Sequence, residues 1–355
     1  MIKTATITFQ NADNYGAMLQ AYALQKAIIT TGCSNVIIDY RSSYMNRPWC
    51  LEALKIKGLL RYVLGVAYYL VRLLRKKKFD RFRRDYLQVT EPVNKQDLAL
   101  LGPKYDFFIV GSDQVWNPYI TNYDKSYFLD FVEDRQKKCS YAASFGLDEL
   151  DRDEAATLVD LLGEFHYLTV REAQGQSIIS TLINRASEVV LDPCLLICKS
   201  DWNDLIGEDA QEDYLLVYQT TFSSYLLETA KIIADRRSLK MVCIPFPMGR
   251  ILNTKTNFMA GPKEWLTLIK NANCVVTDSF HGSVFSIVFN VDFYVSITEG
   301  GSRIINLLNI FNLKRRLFSA NDPVDLNSLI EWHEVNNVLE VQQERSLNAL
   351  RAMLS

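Results

Sequence analysis

The sequence has no disulfide framework, no paired metal-binding motif and no segment built to cross a membrane. Its seven cysteines, at 33, 50, 139, 194, 198, 243 and 274, are odd in number and scattered. Only Cys194 and Cys198 are close, and C-x3-C without a second pair or a nearby His is not zinc-ligand spacing. Reduced, mostly buried thiols of a cytosolic protein fit better. Histidine is scarce: His166, His281 and His333 are the full set. No charge dominates either, since 39 Lys and Arg face 41 Asp and Glu for a net charge of −2, which argues against nucleic acid as a partner. The first residues enter an apolar–polar alternation at once, without the apolar core and cleavage site of a signal peptide. No internal repeat or low-complexity stretch stands out.

What is present is ordinary globular chemistry at a length that exceeds one core. With 355 residues and 48% hydrophobic side chains, two domains of roughly 150–180 residues are expected. Strands are predicted at residues 3–9, 35–40, 105–110, 138–145, 167–170 and 188–191. Helical periodicity occupies 17–29, 151–162 and 173–184. A second series follows residue 192, with strands at 214–218, 240–244, 274–277 and 293–297. Helices at 225–236, 263–271, 279–289 and 303–308 fit between them. Buried strands alternating with helices predict parallel sheets covered on both faces, hence two doubly wound α/β domains with a ligand cleft at their carboxyl ends. The expected division is 1–195 and 196–355, the latter with a C-terminal helix.

One stretch breaks the even charge. Residues 55–84 carry eleven Lys and Arg against Asp80 alone, a local charge of +10 around an apolar run at 59–74. The run is too short and too charged for a membrane span. Two readings of the insert at 52–87 stand side by side: an interfacial helix drawn to anionic lipid, or an apolar helix packed on the first domain.

Four strand-to-helix turns gather polar residues at the predicted cleft. Asn11, Asn14, Tyr15 and Gly16 form the first, where glycine admits a ligand to the backbone and the helix offers free N–H groups. Ser112, Asp113, Gln114, Trp116 and Asn117 form the second, hydrogen-bonding groups beside an indole that suit a sugar. Arg171 and Glu172 form the third, a cation at a helix start. Ser279, His281 and Gly282 form the last, with Arg303 in the next unit. Each has a plainer reading: turn glycines, helix-capping aspartates, a structural ion pair at Arg171, a structural histidine, a core Trp116. Their shared position at strand ends is what favours a site.

Six strings carry a resemblance. T-F-x-N-A-x-N-Y-G-A-x-L-Q-A-Y-A-L at 8–24, V-G-S-D-Q-V-W-N at 110–117, S-Y-A-A-S-F-G at 140–146, V-R-E at 170–172, L-D-P at 191–193 and T-D-S-F-H-G at 277–282 resemble the polysaccharide pyruvyl transferase family. The resemblance spans residues 4–317 apart from the basic insert. It implies a GT-B type fold, two Rossmann-like domains facing a central cleft. It also implies transfer of pyruvate from phosphoenolpyruvate to a sugar as a cyclic ketal; no metal-ligand cluster stands out in the sequence, the chemistry does not require a metal, and no cofactor is expected. Phosphoenolpyruvate would be held by Arg171, Ser279, His281, Gly282 and Arg303. His281 would also move a proton, with Asp113 or Glu172 as base, and the turns at 11–16 and 112–117 would face the acceptor. The sequence departs from the family at Ser279-Phe280: many members have Arg two residues before the His, a guanidinium that Arg303 or Arg250 would have to supply here. The acceptor would be a sugar of a bacterial surface polysaccharide or its lipid-linked precursor. That places the enzyme in the cytoplasm, held at the inner face of the plasma membrane if the insert binds lipid. A nucleotide-sugar glycosyltransferase and a non-catalytic glycan-binding protein are the alternative classes.

Overall fold

The computed structural model describes residues 1–42, 44, 59–207, 212–244, 255–257, 259–297, 301–319, 321–322, 324–326 and 328–355, with backbone only at 59–68, 152 and 153. Residues 52–58 of the insert therefore lie outside the described residues, as does Arg250. The first half runs β1 (Lys3–Ile7), α1 (Tyr15–Thr30), β2 (Ser34–Ile37), α2 (Leu59–Tyr86), β3 (Phe107–Val110), α3 (Pro118–Thr121), β4 (Lys138–Ala143), α4 (Arg152–Gly163), β5 (Tyr167–Val170), α5 (Ala173–Ile183) and β6 (Glu188–Val189). After a short α6 (Lys199–Asn203) the pattern restarts: β7 (Tyr214–Tyr218), α7 (Ser224–Arg237), β8 (Lys240–Ile244), β9 (Lys255–Thr256), α8 (Pro262–Lys270), β10 (Cys274–Thr277), α9 (Phe280–Phe289), β11 (Phe293–Ser296), α10 (Ser302–Ile310), β12 (Leu317–Phe318) and α11 (Trp332–Met353).

Among the described residues these strands form two sheets, ordered β2-β1-β3-β4-β5-β6 and β12-β11-β10-β7-β8-β9, with every pairing parallel. The central strands FFIV, YLLVY and CVVT are nearly unbroken apolar runs because helices cover both their faces. Each sheet reverses its winding once, between β1 and β3 in the first and between β7 and β10 in the second. The loops leaving those four strands diverge there and open a crevice, where ligands bind in such folds. The loops after β1, β3 and β10 lead to Gly16 in the first turn of α1, to Ser112, and to His281 in the first turn of α9.

Two features join the halves. Tyr15, at the start of α1, stacks on Trp265 of α8 at 5.2 Å and donates its hydroxyl to Ala260 O at 2.9 Å. Helix α2 lies along both halves, with Arg83 Nε donating to Gln10 O while Lys78 pairs with Glu264. The C-terminal helix, counted with the second domain in the sequence, packs at the domain junction. It crosses back to the first sheet, where Ser346 Oγ accepts from Leu191 N at 3.0 Å and Met353 O lies 3.7 Å from Cys139 Sγ. Its apolar stripe, Val335, Ala349, Leu350 and Met353, is buried in the core that both halves share.

Candidate active site

Two helix N-termini meet at one imidazole. Helix α1 is capped by Asn14, whose side chain accepts from Ala17 N at 3.0 Å, and α9 by Ser279, whose hydroxyl accepts from Gly282 N at 3.3 Å. His281 stands in the first turn of α9 and projects across the junction onto the first turn of α1. A Cβ built on Gly16 would come within 2.0 Å of His281 Nδ1, so only glycine leaves room for the ring. Gly282 serves a second close approach: a Cβ there would meet Thr277 Oγ1 at 2.7 Å, where α9 packs on β10. Asp278, just before the cap, accepts from Thr220 N and Thr221 N at 2.6 and 2.8 Å and ties the β7 loop to β10. Burial raises its carboxyl above the usual range against those two N–H groups.

Beneath the imidazole lies a buried charge network. Asp192 has a fully buried side chain and takes Arg171 Nη1 at 2.9 Å, Ser112 Oγ at 3.3 Å and Cys194 N at 3.0 Å. His281 Nε2 lies 3.6 Å from the same Oδ2 that Arg171 and Ser112 share. Burial pushes the Asp192 carboxyl up, but the imidazole, the guanidinium and the Cys194 N–H outweigh it and hold it well below the usual carboxylate range. Arg171 also pairs with Asp113 at 3.4 Å and with Glu172 at 3.9 Å. Glu172 is enclosed and bonds Ser144 Oγ at 2.8 Å; burial raises its carboxyl, and Arg171 only partly offsets that. Arg303 of α10 brings a second guanidinium: Arg171 lies 4.6 Å and Arg303 5.9 Å from the centre of the Phe280 ring. Burial and then the like charge of Arg171 lower the affinity of Arg303 for its proton. Asp192, Cys194 and His281 each place one ligand-type atom within 4.8 Å of the others. Arg171 already occupies the Asp192 oxygen that faces His281, and its charge repels a second cation there.

The structure brings Gly16, Ser112, Asp113, Arg171, Glu172, Ser279, His281, Gly282 and Arg303 around this centre, gives Arg171 a different setting from the one expected, and places Trp116, Tyr15, Asn11, Gln114 and Asn117 in other contacts. Arg171, for which the sequence leaves donor binding and a structural ion pair both open, has a side chain 1% exposed and is paired with carboxylates, as the second reading has it. Trp116, expected to stack on a sugar, is 1% exposed, flanked by Phe128, Phe145 and Phe165, and donates its indole N–H to Tyr127 O. Its flat face has no solvent side because three phenyl rings bury it, as core aromatics do. Tyr15 is an inter-domain contact, its hydroxyl pushed up to about 12 by burial. Asn11 bonds Asp39 at 3.3 Å, Asn117 caps α3, and Asn117 Nδ2 donates to Gln114 Oε1 at 3.0 Å, a link local to the loop after β3. Asp113 sits at φ 78° with its side chain 13% exposed, the most accessible carboxylate of the network. Sequence reasoning missed Asp192 as a site residue, and Asn306, which donates to Arg171 O at 3.3 Å from the other half. An Asp directly after the last strand of a sheet, in L-D-P, was the available signal. Nothing local pointed to Asn306.

A family model described as polysaccharide pyruvyl transferase matches residues 14–297. No curated protein matches the chain. Among solved structures, a putative UDP-N-acetylglucosamine 2-epimerase from Listeria monocytogenes is similar with a TM-score of 0.57 at 8% identity, over 99% of this chain and 90% of that one. MnaA from S. aureus, solved with UDP, is similar with a TM-score of 0.50 at 12% identity, over 99% and 91%. The architecture they share with this chain is GT-B: two Rossmann-like α/β domains with parallel sheets.

Proposed function

Because the chain belongs to the polysaccharide pyruvyl transferase family, we propose that it moves pyruvate from phosphoenolpyruvate onto two hydroxyls of one sugar, forming a cyclic ketal and releasing phosphate. The observation that carries this reading is the meeting of two helix N-termini, α1 and α9, at His281, with the Arg303 guanidinium beside them. Free N–H groups and a cation converging from two domains suit a small substrate with a carboxylate and a phosphate. Arg303 is then the cation that stands in for the family arginine replaced by Ser279. Arg171 acts one step back, by holding the carboxylates.

In this reading His281 gives a proton to the methylene carbon, and one sugar hydroxyl attacks the cationic centre. The C–O bond to phosphate breaks and a second hydroxyl closes the ring. Of the two hydroxyl protons released, one restores the imidazole and the other leaves on phosphate. Asp113, being more accessible than the enclosed Glu172, is the base for those hydroxyls. The acceptor is a unit of a surface polysaccharide or its lipid-linked precursor, which places the work in the cytoplasm at the inner membrane face. Helix α2 supports that placement, with Tyr69, Leu70, Leu73 and Leu74 exposed beside Lys77 and Arg81. No helix among the described residues is long and apolar enough to cross a membrane.

The test is phosphate release from phosphoenolpyruvate across a panel of acceptor sugars, with the product weighed by mass spectrometry. A pyruvylated sugar is the expected product. Turnover of a nucleotide sugar, with phosphoenolpyruvate inert, would replace this reading by glycosyl transfer.

A further inference from the structure

His281 is held from the opposite domain on two sides. Its Nδ1 lies over Gly16 of α1, and its Nε2 points at Asp192, which follows β6. Nε2 is buried without a hydrogen-bond partner, stopping 3.6 Å from Asp192 Oδ2. That gap is a few tenths of an ångström beyond a hydrogen bond, a distance that tightens in many enzymes when substrate arrives. The ring's third neighbour, Phe280, meets it edge-on at 5.2 Å. The charged groups around this contact are Asp192 itself, Arg171, Asp113, Glu172 and Arg303.

We propose that Asp192 is the positioning residue for His281, so that the proton-transfer unit is assembled across the domain junction. Its carboxylate takes the Nε2 hydrogen and fixes the ring in that tautomer. Nδ1 is left as the nitrogen that exchanges a proton, at the first turn of α1 where Gly16 carries no side chain. Three fixed donors, Arg171, Ser112 and the Cys194 N–H, keep the carboxylate itself from turning. The arrangement parallels a carboxylate that orients a catalytic imidazole without being protonated itself. Ser112 and Asp192 come from the first domain and His281 from the second, so separation of the domains disassembles it.

This inference rests on the pyruvyl transfer reading, and its first test, the tautomer of His281, is independent of that reading. With three histidines in the chain, nitrogen NMR of imidazole-labelled whole protein can assign His281 by comparison with His281→Ala. At a pH where the ring is neutral, Nε2 should carry the hydrogen and Nδ1 should not. A ring protonated at Nδ1, or divided between the two forms, overturns the proposal whether or not phosphoenolpyruvate is the donor. In the transfer assay Asp192→Asn should lower turnover about 10²-fold or more, with a much smaller change in the donor KM. Folded Asp192→Asn with unimpaired turnover also overturns it. If that variant does not fold, the wild-type tautomer alone decides. Gly16→Ala leaves Asp192 intact and pushes the ring aside, and should cost about 10²-fold in turnover, as misplacements near 1 Å do; wild-type turnover in that variant would remove Nδ1 from the mechanism.

Discussion

Arg171 shows how burial redirects a charged side chain. At a helix start a cation is locally unfavourable, because the N-terminus is itself positive. The structure answers that cost with Asp192, Asp113 and Glu172. Removing the guanidinium leaves carboxylates buried without a counter-charge, a change that typically costs about 3–5 kcal/mol. Arg171→Ala is therefore expected to lose most of its activity by unfolding, with a clearly lowered Tm. A variant that melts like the wild type but needs more donor would instead return Arg171 to the open donor site that the sequence suggested. The chemistry of this residue was legible from Val170-Arg171-Glu172; its role was not. Whether an arginine faces ligand or carboxylate depends on Asp192, twenty-one positions away.

At the scale of elements, α2 bears on both readings of the basic insert. Its last turns are packed: Phe79 and Phe82 are buried, Arg83 reaches Gln10 O, and Lys78 meets Glu264. Further up, Tyr69 and Leu70 are 53% and 54% exposed, with Leu73 and Leu74 beside them. The helix of 28 residues is about 42 Å long, and its packed end covers only part of that length. Replacing Leu70, Leu73 and Leu74 by Ser, with Lys77 and Arg81 by Gln, should abolish binding to vesicles containing anionic lipid, measured by flotation. These exposed side chains hold nothing in the core, so thermal stability should stay near the wild-type value. In the unaltered protein the basic share should fade with salt, since exposed charges are screened beyond about 10 Å at 0.1 M. Vesicle binding that survives the five substitutions would leave α2 as a packing element only.

Across the described residues there are three hydrophobic clusters, one within each domain and a larger one that runs through both. It includes Met18, Leu19 and Tyr141 from the first half, Leu216, Trp265 and Phe285 from the second, and Leu350 and Met353 of α11. With α11 returning to the first sheet, the first domain is complete only when the end of the chain is in place. Calorimetry should show a single cooperative transition, and removal of residues 332–355 should unfold both domains together. Two resolved transitions, or a stable protein without α11, would mean the domains fold separately. The two parallel α/β units are legible in the sequence alone, because buried strands and covering helices are local patterns of period and composition. The sequence also places Gly16, Asp113 and His281 at strand ends, because turn chemistry is written in neighbouring residues. Which of those residues meet is set by the packing of distant segments. The approach of His281 to Gly16, the capture of Arg171 by Asp192, the enclosure of Trp116 and the return of α11 are contacts between distant segments. Their energies come from burial and charge pairing in three dimensions, and no local pattern records them.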